Sequence, residues 1–305
     1  MEDYGLNFFE LLPDPVEISD CVLDECRQSG DFRQILFEYY KNVSMLCCIC
    51  SQIIPESPGW LTSTDKKRYV LLGLLTRCTR ILAAHLEFFQ DGRYGDVTTI
   101  LDRPLLETCV KVRWISQDRG EQRLQRYFED SLKSDLELLD KIKSNIKARG
   151  GLELPIEKRM LHSIRKNAEF AGIGIDDKEI NLKRAPSLAD MVRDIGEDRF
   201  MYTIVGKISS HAVHGSLANL LYLYLDADQK IDGRFIPAVE FPAAHVNQYV
   251  FNCLFVLDAC LDFVSFNFED GDEMDYFSAV LTTYSSEILE LYREIVGGDF
   301  DPPAS

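Results

Sequence analysis

Ser210 and His214 are the residues whose types and spacing best suit acid–base chemistry. They stand four positions apart in KISSHAVHGS at 207–216, so on a helix they share one face and come within hydrogen-bonding reach. Histidine titrates near neutrality and can act as a general acid or base. The stretch holds no acid, so an orienting carboxylate has to come from elsewhere, and Glu107 could supply it. The alternative is a hydrogen-bonded helix end that Gly215 terminates.

Arg103 and Glu107 form the second candidate pair, on a helix predicted over residues 96–117. The helical wheel places both on a side that also carries large apolar residues. An arginine and a glutamate four apart can pair directly, and charges that face a core must be paired and hydrogen-bonded. The pair is therefore either a buried structural ion pair or the floor of a polar site. Pro104, in the same helix, predicts a kink or a break near Leu101.

Arg80 and His85 offer a different chemistry, because their Arg-x4-His spacing resembles that of the HEPN ribonucleases. That resemblance implies an all-helical dimer in which the two residues activate the RNA 2′-hydroxyl and stabilise the phosphate. Ile81 follows the arginine, where that family usually has a polar residue. On a helix, roughly 140° separates the two side chains. The alternative is a core histidine beside a surface arginine.

Nine cysteines are present, and Cys47 and Cys50 have the CxxC spacing of a zinc knuckle. A zinc site needs a second pair at usable spacing, and the sequence has none, so we expect core thiols and no metal. Phosphate-binding and dinucleotide-binding motifs are missing as well, so no cofactor is predicted. The acidic start has no signal-peptide pattern, which favours reduced thiols and a cytoplasmic protein.

The net charge of −17 is carried by the two ends of the chain. Residues 1–31 contribute −8 and residues 267–305 contribute −9, so residues 32–266 are neutral overall. This distribution disfavours non-specific binding of nucleic acid or anionic membrane at the ends, and it gives no sign of the basic cleft that a nuclease needs. A basic run at 141–149 is either a solvated helix end or a phosphate contact.

Helical periodicity runs through most of the chain and predicts an all-α, multi-helix bundle. Charged residues interrupt the longest apolar runs, so we expect no transmembrane helix and no membrane partner. The predicted segments are an acidic N-terminal segment at 1–31, a main helical domain at 32–225, a long loop at 226–242 with room for a small hairpin, a C-terminal helical hairpin at 243–296 packed on the main domain, and a tail at 297–305.

Three stretches together resemble the bacterial domain-of-unknown-function 5677 family. ILDRPLLETCVKVRWI at 100–115 resembles its R-x-x-x-E helix, RLQRYFEDSL at 123–132 its middle helix, and KISSHAVHGS its later serine/histidine motif. The similarity spans roughly residues 71–225 and leaves both acidic ends outside. It implies a helical bacterial protein in which Arg103 and Glu107 are paired with Ser210 and His214, and it implies no particular reaction.

Two functions are compatible with these features. The first is a binding or regulatory protein, in a setting such as bacterial stress or phage defence. In this protein four polar residues converge near the centre: Arg103, Glu107, Ser210 and His214. They either stabilise the fold or bind a small anionic ligand or a protein partner. The second is a metal-independent ribonuclease of HEPN type, with RNA as its substrate. The neutral middle of the chain favours the first. By analogy, both predict a homodimer.

Overall fold

The computed structural model describes residues 11–53, 59–61, 64–89, 92–175, 182–197, 206–229, 231 and 233–296. Nearly all regular structure in these residues is helical, which confirms the all-α prediction. The chain forms two compact units, residues 1–117 with 191–305 and residues 118–190. The predicted segment boundaries stay a prediction, and the predicted tail at 297–305 lies outside the described residues.

The first unit contains most of the helices. In chain order its elements are α1 (Asp20–Ser29), α2 (Arg33–Ser51), α3 (Asp65–Phe89), α4 (Gly95–Ser116), then α8 (Lys207–His214), the short α9 (Leu217–Asn219), a π-helix (Leu220–Tyr224), β1 (Leu225–Ala227), β2 (Phe235–Pro237), α10 (Val246–Asn267) and α11 (Asp272–Ile295). The second unit holds α5 (Gln122–Ala148) and α6 (Pro155–Ala171), and α7 (Leu188–Asp194) crosses the boundary between the units.

The core of the first unit forms where α2, α3, α4 and α10 pack on one another. The close connection between α3 and α4 predicts two packed neighbouring helices, and the structure confirms that they pack. By length and composition alone, α3 and α10 are apolar enough to cross a membrane, despite the charges within them. In the fold, α10 packs on three helices, α2, α4 and α11, a position that explains its apolar composition.

The helix α4 runs without a break through Pro104, so the predicted break near Leu101 is wrong. It begins next to Tyr94, whose φ of 63° is in the left-handed region. At Gly95 the chain before α10 comes so close that an added Cβ would lie 2.4 Å from the Ala243 carbonyl oxygen. The Gly95 N–H also donates to the Pro242 carbonyl at 2.8 Å. Glycine is therefore required where these two segments meet.

The second unit is built on α5 and α6, which pack against each other. Their contact is a small apolar core formed by Leu139, Ile142, Leu161 and Ile164. The basic run that begins at Lys141 lies on α5, and Arg149 forms an ion pair with Glu157 at the start of α6. At least this arginine therefore serves a structural ion pair.

The region predicted as a long loop contains the antiparallel hairpin for which the sequence left room. Leu225 pairs with Pro237, Asp226 with Ile236 and Ala227 with Phe235. Beyond this hairpin, the described residues show only one isolated bridge between extended residues, Trp60 with Phe268. The hairpin is thus a local addition to a helical protein.

Candidate functional site

Arg103 and Glu107 pair directly, with 2.9 Å between Arg103 Nε and Glu107 Oε1, as their spacing predicts. The side of α4 that carries them is only partly buried at these two positions, although Val110 and Trp114 on the same side are buried. The side chains of Arg103 and Glu107 are 31% and 33% exposed, and Ile100 on the same side is also exposed. The pair is therefore half-buried at the edge of the core and not fully buried, and its place in the floor of a polar site stays a prediction.

Ser210 and His214 lie on α8, which packs against α4. Ser210 is half-buried and His214 is exposed. Among the described residues, no hydrogen bond joins these two to each other or to Arg103 and Glu107. The predicted convergence of the four side chains into one site stays a prediction.

A side-chain hydrogen bond at the end of α8 instead joins residues that lie next to Ser210 and His214 in the sequence. His211 Nδ1 lies 2.9 Å from Ser216 Oγ, and Ser216 in turn caps the short helix that follows. Gly215, at φ 56°, ends α8 in the left-handed conformation and donates its N–H to the His211 carbonyl. This geometry matches the alternative interpretation of KISSHAVHGS, a hydrogen-bonded helix end.

The charge that does face the core is Asp102, one position before Arg103. Its carboxylate is 6% exposed and accepts a hydrogen bond from Asn252 Nδ2 at 2.8 Å. Gln248 Nε2 donates to the other oxygen at 3.1 Å, and His85 Nε2 lies 3.2 Å from the first. Gln248 also reaches the Thr99 hydroxyl at 2.7 Å. The network ties α3, α4 and α10 together through one buried anion.

The protonation of His85 follows from its neighbours. Its Nε2 faces two acceptors, the Thr98 carbonyl and the Asp102 carboxylate, both at 3.2 Å, so this nitrogen carries the proton. The ring is completely buried, packed against Tyr40 and Phe89. Burial first, and then nearby groups including the Asp102 carboxylate, raise the pKa of Tyr40 well above its ordinary value. The network is a structural one, out of reach of a substrate.

This arrangement separates the two residues of the predicted nuclease motif. His85 is fully buried, whereas Arg80 is exposed on the other side of α3. An RNA 2′-hydroxyl that met Arg80 would have no path to the imidazole. The geometry matches the alternative, a core histidine beside a surface arginine.

Sequence reasoning missed Asp102 because its partners on α10 lie about 150 positions away. The spacing of residues along α4 nevertheless contains a local indication of the buried face that carries Asp102. The buried residues of α4 include Thr98, Asp102, Leu105 and Cys109, spaced four, three and four apart. This stripe is a buried face of the helix, and its centre is rotated by roughly 130° from Arg103.

Arg113 is the centre of a second polar cluster, between α4 and α10. Its guanidinium contacts Asp262 and Glu197, each at 2.7 Å, and Asp258 at 3.6 Å. Burial works to lower the pKa of Arg113, but the three acids outweigh it and raise that pKa. Burial first, and then the charges of Glu197 and Asp262, raise the pKa of Asp258 to about 6, against the opposing effect of Arg113.

The predicted core thiols meet where four helices cross. Cys78 and Cys109 have their sulfur atoms 3.8 Å apart, and Thr79 donates to Cys47 at 3.6 Å. Hydrogen bonding from Cys260 and Cys78 lowers the pKa of the Cys47 thiol well below its ordinary value. The described residues contain no cluster that could hold a metal ion, and all nine cysteines are free thiols. Seven of them are buried, Cys48 is half-buried and Cys21 is exposed.

One feature open to a ligand is a surface groove of about 540 Å³ between α3 and α4. Its lining consists of two arginines and small or apolar residues: Gly73, Thr76, Arg77, Arg80, Ile81, Ala84, Leu101 and Pro104. No acid lines it, and no ion pair joins either arginine to an acid among the described residues. Arg77 Nε donates to Thr108 Oγ1 at 3.2 Å, and that hydroxyl donates to the Pro104 carbonyl at 2.6 Å. Thr108 therefore orients one arginine at the wall of the groove.

The fold defines an all-α protein with a polar network in its core and an arginine-lined groove on its surface. The chain belongs to the family of unknown function DUF5677, whose family model matches residues 68–233. That range contains every residue that lines the groove, together with Arg103, Glu107, Ser210 and His214. The family match gives no support to the resemblance of Arg80 and His85 to the HEPN ribonucleases. No curated protein and no solved structure matches the chain.

Proposed function

We propose that this protein binds a small organic anion in the groove between α3 and α4. The observation that carries the proposal is the charge of that groove: two arginines and no acid in its lining, in a chain whose net charge is −17. A surface cavity of about 510 Å³ beside α2 has the opposite character, with Asp14, Glu17 and Glu38 in its lining. An anion is therefore attracted to the first and repelled by the second.

The size and composition of the groove indicate the class of ligand. A volume of about 540 Å³ lies within the range of small-molecule sites. Arg77 and Arg80, three apart on α3, lie close enough to hold one phosphate or carboxylate, because a guanidinium can donate two parallel hydrogen bonds to either group. Ile81, Ala84 and Leu101 supply an apolar wall. The ligand expected is an organic phosphate or carboxylate with an apolar body.

Gly73 contributes the open floor of the groove. A Cβ at this position would meet nothing within 4 Å, so the space above it is accessible. A larger side chain there would fill the groove without a clash against the backbone. This makes Gly73→Leu a steric block that leaves both arginines in place.

The test is isothermal titration of the full chain with adenosine monophosphate, inorganic pyrophosphate and benzoate as probes. We expect saturable binding of at least one probe, and a dissociation constant raised about tenfold or more by Arg80→Gln and by Gly73→Leu. Lys66→Gln is the matched control, because it removes one positive charge from an exposed position of α3 outside the groove. Circular dichroism and thermal unfolding establish that each variant is folded.

Two outcomes would overturn the proposal. One is the absence of saturable binding for all three probes at millimolar concentration. The other is binding that Arg80→Gln and Lys66→Gln weaken equally, because this would indicate a general charge effect. A setting in bacterial stress or phage defence, and a cytoplasmic location, stay predictions that belong with this proposal.

A further inference from the structure

The segment from Val213 to Phe241, here called the apolar arm, has a higher density of exposed hydrophobic side chains than the rest of the described residues. Among the described residues, twenty-two large hydrophobic side chains are exposed, and ten of them lie in this arm. They are Val213, Leu217, Leu220, Leu221, Tyr224, Ile231, Phe235, Ile236, Val239 and Phe241. A concentration of this kind marks an interaction site, whereas single exposed hydrophobic residues need no explanation.

The exposed side chains of the arm belong to one structure. The hairpin pairs Ala227 with Phe235, and the Ala238 N–H donates to the Tyr224 carbonyl at 2.9 Å, which places the π-helix beside the end of β2. Phe235 is 52% exposed and its neighbour Ile236 is 38% exposed. Because successive residues of a strand point to opposite faces, both faces of the hairpin are uncovered.

The base of the arm is fixed to α4. Phe241 packs its ring on Tyr94 at 5.2 Å, and Gly95 bonds to the Pro242 carbonyl. Burial first, and then a hydrogen bond from its hydroxyl to Asp96, raise the pKa of Tyr224. A two-stranded hairpin is at best marginally stable alone, so the exposed remainder needs a covering surface.

We propose that the apolar arm is the interface of a homodimer, in which it packs against the same arm of a second copy of this chain. The area is the first argument. Ten side chains of this size at about half exposure present on the order of 800 Å², which is what each partner buries in an interface of standard size. An apolar surface is also complementary to itself, as a two-fold interface requires.

The charges of the arm favour a second copy over a membrane. Asp226 and Glu240 are exposed beside the apolar residues, and the arm has no run of basic residues that would attract anionic lipid. The chain as a whole is strongly acidic, which adds repulsion from such a surface. The first ten residues of the chain are themselves rich in hydrophobic residues, so their deletion belongs in the test.

The experiment is sedimentation velocity of the full chain between about 0.5 and 100 µM, at 0.15 M salt. We expect a concentration-dependent shift from the 34.9 kDa monomer to a species of about 70 kDa. Phe235→Lys and Val239→Lys, each at an exposed position, should raise the dimer dissociation constant about tenfold or more. Leu152→Lys is the matched control: this residue is 63% exposed but lies in the second unit, so the dimer should persist.

Three results would overturn the proposal. The wild type could remain monomeric at 100 µM and bind to neutral lipid vesicles, which would assign the arm to a membrane. It could remain monomeric but dimerise once residues 1–10 are deleted, which would assign the arm to the chain's own N-terminal segment. Finally, the dimer could survive both arm substitutions in folded protein, which would place the interface elsewhere. Circular dichroism and unfolding temperature identify any variant that fails to fold.

Discussion

At the scale of single residues, one step along α4 separates a surface ion pair from a buried anion. Arg103 carries its charge at the edge of solvent, and its neighbour Asp102 carries one into the core. The buried carboxylate is stable there because Asn252, Gln248 and His85 surround its two oxygens. A buried charge that is fully hydrogen-bonded acts as a specific connector, since each partner loses its own bond when the charge is removed.

Asp102→Ala should therefore be among the most destabilising single substitutions in the chain. It leaves the Asn252 amide buried without this acceptor and takes one acceptor from each of Gln248 and His85, at an expected loss of about 3 kcal/mol in the free energy of unfolding. Urea denaturation measures this loss. Asp130→Ala, at an exposed position of α5, is the control and should change the stability by less than about 0.5 kcal/mol. Equal stabilities for the two variants would refute the structural role of the network.

Asp258 should make stability depend on pH. Its pKa in the folded protein is about 6, above the ordinary value of 3.8, so the folded state holds the proton more tightly than the unfolded chain. Stability from this group is complete below pH 4 and is lost as the pH rises through 6. Asp258→Asn removes the titration, so its unfolding temperature should exceed that of the wild type at pH 7.5 and equal it at pH 4. The gain should be small, since 40% of the side chain is exposed and solvent screens the charge.

The control for this experiment is Asp262→Asn. Asp262 bonds to Arg113 at 2.7 Å and to Gln117 at 3.0 Å, so loss of its charge weakens two contacts. Its unfolding temperature at pH 7.5 should fall below that of the wild type. A rise in both variants, or in neither, would contradict the opposite roles that the geometry gives these two acids.

At the scale of elements, glycine has opposite effects in α3 and α4. Gly95 lies where the backbone of Ala243 passes, and a Cβ would come within 2.4 Å of its carbonyl oxygen. Gly73 lies inside α3 over open space. We expect Gly95→Ala to lower the free energy of unfolding by about 2 kcal/mol, through overpacking, and Gly73→Ala to raise it by about 0.5–1 kcal/mol, because alanine favours the helix. Urea denaturation of both variants and of the wild type measures these changes. A loss of stability in Gly73→Ala as large as that in Gly95→Ala would contradict the close approach of the Ala243 backbone to Gly95.

Local features of the sequence were enough to predict several element ends. Gly30 and Gly215 end their helices in the left-handed conformation, as glycine after a helical pattern indicates. The ion pair of Arg103 and Glu107 follows from a spacing of four. These predictions succeed because every atom involved lies within one or two turns of the chain.

Features that depend on distant segments could not be predicted in the same way. The wheel for α4 assigns the core face to the side of Arg103, because the partners of Asp102, which are Asn252 and Gln248, lie about 150 positions away on α10. The groove was missed for a similar reason. The sequence associates Arg80 with His85 and gives no signal for Arg77, and the two arginines form a site only when Leu101 and Pro104 of α4 supply the opposite wall.

At the scale of the whole molecule, the net charge of −17 acts on the two proposed binding events in opposite directions. Two copies of the chain repel each other as they approach, whereas an anion is drawn to the arginines of the groove against the repulsion of the rest. Dissolved salt screens both effects within about 8 Å at physiological ionic strength. The dimer forms through apolar side chains, which salt does not weaken.

Raising sodium chloride from 0.05 to 0.5 M should therefore tighten the dimer and weaken the bound anion. We expect the dimer dissociation constant to fall by roughly three- to tenfold and that of the anion to rise by a similar factor. Sedimentation and titration on the same preparation measure how each dissociation constant changes with salt, and Phe235→Lys and Arg80→Gln should weaken dimerisation and anion binding, respectively, at every salt concentration. If the dimer dissociated in salt, charge pairs and not the apolar arm would hold it together. If anion binding were unaffected, Arg77 and Arg80 would not be its partners. Because the dimer and anion dissociation constants are measured separately, failure of one proposal would leave the other intact.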